Sequence, residues 1–305
     1  MKHYYDCMRE LVGNTPIIRL HNVGAPQDVK LFAKLELWNP AGSVKDRTGV
    51  FMVEEAERRG DLHVGSTIVE GTAGNMGLGI AFAAIGKGYR VIFVVPEKFS
   101  EEKQTLMRAL GAEIVNTPRE DGMLGAAAKA DALLKEIPNS IALRQFKNLD
   151  NPEAHYRSTG PEIWRDLGGE VDYFIAGAGS GGTFTGVTRF LKEKNPKIHA
   201  TLADPVGSTM GGGKHGDYDI EGIGNDFVAD TMDMSLVDEV IKVNDEQAFA
   251  ASRLLASKEG IFAGSSSGAA LTAALEVASH AKPGSSVVTI LPDRGDRYFS
   301  KHLYA

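Results

Sequence analysis

The stretch Val171-Asp-Tyr-Phe-Ile-Ala-Gly-Ala-Gly-Ser-Gly-Gly-Thr-Phe-Thr-Gly186 runs from an apolar, β-rich segment straight into a glycine-dense turn. Residues 171–176 predict a strand, and 183–194 predict a helix. Such a turn gathers backbone N–H groups and the positive end of a helix dipole, which suits an anion such as phosphate. Ser180 and Thr183 add hydroxyl donors. A plain strand-to-helix connection has no need of five glycines between positions 177 and 186.

The same alternation extends outward in both directions. Apolar runs at 29–37, 67–70, 89–95, 113–116, 198–203, 239–243 and 286–291 predict strands. Helical patterns cover 45–59, 75–87, 100–110, 126–136, 247–258 and 268–279. Strands alternating with helices predict an α/β protein with mostly parallel sheets covered on both faces. Ligands of such sheets bind at the carboxyl ends of the strands. Residues 148–152 read as a crossing between two halves, and the glycine-rich 206–217 as a loop.

Composition narrows the partners. The 305 residues carry 33 Lys and Arg against 40 Asp and Glu, a net charge of −7. An acidic chain without basic clusters argues against nucleic acid, whose binding rests on phosphate neutralisation. No apolar run approaches the roughly 20 residues that span a bilayer, and the N-terminus has no signal-like core. Both point to a cytoplasmic protein. The eight histidines do not cluster in a ligand pattern, so no metal site is expected. Cys7 is the single cysteine, which excludes an internal disulfide.

Four further segments carry chemistry, three of them with a plainer reading beside them. Asn39-Pro-Ala-Gly-Ser-Val-Lys-Asp-Arg47 leads into a helix with Lys45 in its first turn. The helix dipole disfavours a cation there, which lowers the cost of the neutral, nucleophilic amine. Most single lysines are simply surface charges. Gly71-Thr-Ala-Gly-Asn-Met-Gly77 can cradle a carboxylate at a helix N-terminus, or be a tight turn with a cap. Gly264-Ser-Ser-Ser-Gly268 offers neutral hydroxyls at a helix start, or an ordinary serine cap. Glu221-Gly-Ile-Gly224, followed by Asp226, borders a possible pocket. One competing reading remains: Gly177, Gly179 and Gly182 also fit a dinucleotide fingerprint, with Asp204 after the next strand as its ribose acid.

Taken together and in order, these segments resemble the cysteine synthase and cystathionine β-synthase family of pyridoxal 5'-phosphate enzymes. The resemblance also draws on Gly13-Asn-Thr-Pro16, Gln145-Phe146, Thr159-Gly-Pro-Glu-Ile163 and Asp293-Arg-Gly-Asp-Arg-Tyr298, and so runs nearly end to end. It implies fold type II, the tryptophan synthase β-like arrangement of two three-layer α/β domains. The smaller would comprise 1–13 and 38–148 and the larger 14–37 and 149–305, with the cofactor in the cleft between them.

The resemblance also implies roles. Lys45 carries the cofactor as a Schiff base and moves the α-proton. Asn75 bonds the ring 3'-hydroxyl, and Gly179, Ser180, Gly181, Gly182 and Thr183 hold the phosphate. Ser266 faces the pyridine nitrogen, where a neutral hydroxyl tunes the cofactor towards β-elimination. Thr72, Ala73, Gly74 and Gln145 hold the substrate α-carboxylate, with Gly222 and Asp226 on the substrate side. The activity implied is β-replacement on O-acetylserine or serine by sulfide or a thiol, giving cysteine or cystathionine. The alternatives are consumption of cysteine with release of hydrogen sulfide and, on the dinucleotide fingerprint alone, a nicotinamide-dependent oxidoreductase.

Ala73 and Met76 depart from many cysteine synthases, which have serine and threonine there. Thr-Ala-Gly-Asn and Glu221-Gly-Ile-Gly-Asn-Asp-Phe227 look more like O-acetylserine-dependent cystathionine β-synthases, and this gives Asp226 a part in handling the leaving group or a water. Neither haem nor regulation by S-adenosylmethionine is expected. A homodimer is what the family implies.

Overall fold

The computed structural model describes residues 4–97 and 101–305. In chain order the elements are β1 (Ile17–Arg19), β2 (Lys30–Leu35), α1 (Lys45–Arg59), β3 (Thr67–Gly71), α2 (Asn75–Ala84), β4 (Arg90–Pro96), α3 (Glu101–Ala109), β5 (Glu113–Thr117), α4 (Gly122–Glu136) and β6 (Ser140–Ile141). They continue with α5 (Asp150–Arg157), α6 (Thr159–Asp166), β7 (Tyr173–Gly177), α7 (Gly182–Lys194), β8 (His199–Pro205), β9 (Glu239–Val243), α8 (Asp245–Leu254), α9 (Ser265–His280) and β10 (Ser286–Leu291). The chain forms two compact units. One comprises Met1–Val12 and Lys45–Asp150, the other Gly13–Val44 and Asn151–Ala305.

In the smaller unit the strands pair in parallel in the order β5-β4-β3-β6. Alternate residues of β4 feed separate cores on its two faces. Val91, Phe93 and Val95 join one cluster with Met52, Ile80 and Met107, while Ile92 and Val94 join Ala126 and Ala130 of α4. This is why the strand reads as an unbroken apolar run rather than an alternating one. Each of the buried Val, Ile, Phe and Met side chains contributes roughly 1.5–3 kcal/mol.

The larger unit repeats the design with the order β1-β2-β10-β7-β8-β9. Val287 and Leu291 of β10 face one core, Val288 and Ile290 the other. Only the edge pair β1–β2 is antiparallel among the described strands. In both units strand order reverses beside the first strand of the main run. The reversal lies between β3 and β6 in the smaller unit and between β7 and β10 in the larger. Such switch points are where open α/β sheets leave a crevice at their carboxyl edge.

The α/β architecture expected from the sequence is the one observed, with differences at the ends of elements. The helix starting at Asn75 stops at Ala84, because Ile85 is extended and Gly86 and Gly88 follow with positive φ. The strand expected to reach Leu37 ends at Leu35 and turns into a short 3-10 segment, Glu36–Trp38. The Glu36 carboxylate there accepts bonds from the Thr15 hydroxyl and the Asn39 amide. The helix expected from Ser100 runs over Glu101–Ala109, Ser100 itself lying outside the described residues. The segment read as a crossing holds the boundary between the two units, after Asp150, and also opens α5, with Pro152 in its first turn, where a missing N–H costs nothing. Among the described residues no helix is long and apolar enough to cross a membrane.

Candidate active site

The smaller unit places Lys45 as the first residue of α1. Its backbone is fixed by a close crossing of α1 on α2. A Cβ on Gly79 would overlap the Lys45 carbonyl, and one on Gly49 would overlap the Gly79 backbone. Two glycines thus let the helices touch main chain to main chain. Lys45 keeps partial exposure as a residue, but burial of its ammonium end lowers the pKa from 10.5 to about 8.

At the carboxyl end of β3 the chain forms the turn Thr72-Ala-Gly-Asn75. Gly74 caps α2 in an extended conformation, and Asn75 is its first residue. Thr72 is buried, and its N–H donates to the Val94 carbonyl at 3.1 Å. Across the switch point, Gln145 follows β6 and Arg144, which has a positive φ of 55°. The smaller unit therefore presents its expected carboxylate-binding groups from the two strands that flank its crevice.

The larger unit carries the turn expected to cradle an anion at the end of β7. Gly181 is left-handed, with φ 82°, and caps α7, whose N-terminus begins at Gly182. The glycines are required from behind as much as from the ligand side. A Cβ on Gly181 would strike Met232, one on Gly182 would strike Asn151, and one on Gly179 would meet the Gly222 carbonyl. The loop is held by side chains. Asn151 Nδ2 donates to Ser180 Oγ at 2.9 Å, and Thr183 Oγ1 lies 3.1 Å from His155 Nε2. Asn225 Nδ2 donates to the Gly179 carbonyl at 2.6 Å, and the Thr231 hydroxyl donates to the Ser180 backbone carbonyl. Gly186 allows α7 to lie directly on α5, bringing Asn151 and His155, one helical turn apart, to the loop.

Ser266 lies buried in the first turn of α9. The helix reaches this position because Gly268 lets it press against Ala248 of α8. The neighbouring Ser265 hydroxyl accepts the Glu221 N–H at 3.0 Å, and a Cβ on Gly222 would stand 4.0 Å from Ser266 Oγ. Gly222 and Ser266 are therefore neighbours. Asp226 is exposed and pairs with His215 Nδ1 at 2.8 Å.

The clamp residues Asn151, His155, Asn225 and Thr231 had no role in the sequence reading. Asn151 and His155 stand four apart, a signal legible only once α5 is known to be a helix. The dinucleotide reading loses its key group. Asp204 is fully buried, bonded to Lys242 Nζ at 2.5 Å and to the Gly211 N–H at 3.0 Å, so it is not available to a ribose.

The donor set suits a phosphate-bearing aldehyde. It offers an anion cradle that any Cβ would spoil, and an amine whose ammonium form is disfavoured by burial. Residues 8–293 match the family described as pyridoxal-phosphate dependent enzyme. The chain belongs to this family.

Its relatives and structural neighbours are similar along their whole length. The chain is 51% identical over 295 residues to an O-acetylserine dependent cystathionine beta-synthase of Bacillus subtilis, covering 97% of this chain and 96% of that one. It is 45% identical to a cysteine synthase of Helicobacter pylori over 97% of this chain and 98% of the other. The crystal structure of the Helicobacter pylori O-acetylserine dependent cystathionine beta-synthase superposes with a TM-score of 0.95 at 44% identity, covering 100% of both chains. The pyridoxal-phosphate-dependent chemistry expected from the sequence thus stands, and the cofactor with it.

Proposed function

We propose that this enzyme performs β-replacement on O-acetylserine with a thiol, forming cystathionine or cysteine. The observation that carries the reading is Lys45. A lysine whose burial brings its amine close to neutrality heads a helix in a chain that matches O-acetylserine-using relatives end to end.

The residues divide the work. The N-terminus of α7, with Gly179, Ser180, Gly181, Gly182 and Thr183, holds the cofactor phosphate by N–H groups, hydroxyls and the helix dipole. Asn75 offers its amide to the ring hydroxyl. Ser266 offers the ring nitrogen a neutral partner, so no charge is drawn to that end. Thr72, Ala73, Gly74 and Gln145 receive the substrate carboxylate. Pyridoxal phosphate, when bound, supplies the electron sink that makes the substrate Cα–H acidic. Lys45 Nζ would take that proton, acetate would leave from Cβ, the thiol sulfur would bond there as its own proton passes to solvent, and Lys45 would return the first proton to Cα. A pKa near 8 suits a group that must both accept and donate a proton near neutrality. Gly222 borders Ser266, and with Asp226 it is assigned to the substrate side, where Asp226 would handle the leaving group or a water.

We further read the protein as a cytoplasmic homodimer. Within the smaller unit the exposed apolar side chains Tyr4, Tyr5 and Met8, close in sequence, support a partner surface. Sedimentation at twice the chain mass of 32.7 kDa tests the dimer.

The deciding experiment offers the holoenzyme O-acetylserine, serine or cysteine with sulfide, homocysteine or cysteine, and identifies products by mass spectrometry. Cystathionine or cysteine formed from O-acetylserine is expected. Absence of any β-substituted alanine product would overturn the reading.

A further inference from the structure

In the smaller unit, β3 and β6 share only the rungs Thr67↔Ser140 and Ile68↔Ile141. Beyond Ile141 the chain leaves the ladder, and the N–H groups of the next residues need other acceptors. The side chain of Glu70 supplies them. Its Oε2 accepts the Leu143 N–H at 2.9 Å and the Arg144 N–H at 3.1 Å, and the Gln145 N–H bonds the same carboxylate. The turn that follows closes on itself. Lys147 and Asn148 N–H both donate to the Arg144 carbonyl at 2.9 Å, and Asn148 Nδ2 donates to Leu143 at 3.1 Å.

Glu70 is only 7% exposed, and burial pushes its carboxyl up while the backbone donors oppose this. Burying a carboxylate is costly, and two more rungs of sheet would satisfy the same donors without it. The side chain does what a ladder cannot: it lets the 144–148 turn swing off the sheet edge, with Arg144 left-handed, and still be fixed. It does so from a position two residues before Thr72, at the switch point of the sheet.

We infer that Glu70 is a positioning residue for substrate recognition, holding the Gln145 turn and the Thr72–Asn75 loop in one fixed relation so that both meet the substrate α-carboxylate. This rests on the proposed function, in which those two segments receive that carboxylate. Glu70 itself does not touch the substrate. A second carboxylate facing the first would repel it, and the acceptors of Glu70 are directed at the backbone.

The test compares wild-type holoenzyme with Glu70→Gln and Glu70→Asp. The first removes the charge and keeps the shape; the second keeps the charge and shortens the reach. Half-saturation of the visible spectral change on adding O-acetylserine reports donor binding. Cofactor content, thiol KM and thermal midpoint are measured alongside. Glu70→Gln is expected to raise the half-saturating O-acetylserine concentration about tenfold or more, with cofactor content and thiol KM within about twofold of wild type. Glu70→Asp is expected to lie between and serves alone if the other variant does not fold. Unchanged donor saturation overturns the inference. So does loss of donor and cofactor binding in step with the thermal midpoint, or failure of both variants to fold, since either makes Glu70 a structural brace only. A wild-type enzyme that gives no spectral response to O-acetylserine would instead overturn the proposed function.

Discussion

Burial of the Lys45 ammonium at the head of α1 brings its pKa down to about 8. The neutral amine is the form that captures an aldehyde, and it appears as pH rises through the pKa. The rate of cofactor capture by the apo-protein is therefore expected to rise with pH, turn over near 8 and level off above it. Stopped-flow absorbance between about pH 6 and 10 measures this; a rise that continues to the top of the range, as for an ordinary lysine, contradicts it. Lys45 was legible in the sequence only through its neighbours. One lysine in a first helical turn is a weak signal, and the motif around it supplied the weight. The groups that hold the phosphate loop were less legible. Asn225 and Thr231 reach it from a segment without regular structure, far along the chain, and no local pattern announces such contacts.

At the scale of elements, helix crossings set the geometry of the site. The helices α1 and α2 meet at Gly49 and Gly79, with no space for a side chain on either. Gly49→Ala improves intrinsic helix propensity by about 1 kcal/mol, yet it forces two backbones apart. Overpacking of this kind costs roughly 1–3 kcal/mol, so a net loss of stability is expected, with weaker cofactor retention because Lys45 moves with α1. Urea unfolding of wild type and variant decides it; a variant as stable as wild type would contradict the crossing. The sequence placed α1, β9 and β10 with correct ends, because their patterns are regular and their stops are marked by Gly60, Asn244 and Pro292. It missed α5 and α6, eight residues each and with a proline in the first turn, too short to carry a clear period. It also missed the edge strand β1, three residues long and too short to carry a period.

At the scale of the whole molecule, two parallel sheets each present a switch point. The smaller unit places the Thr72 and Gln145 segments there, and the larger places the cradle after β7 beside the start of α9. Sheet order is not written in any one segment, so the sequence predicted parallel sheets without predicting which strands flank the crevices. The proposed function rests on Lys45 as the lysine that captures the cofactor aldehyde. Borohydride reduction of the holoenzyme, followed by peptide mapping, tests this most directly. The account predicts loss of the visible absorption and a phosphopyridoxyl group on the peptide containing Lys45. A label on another lysine, or a colourless protein that takes up no cofactor, would contradict it.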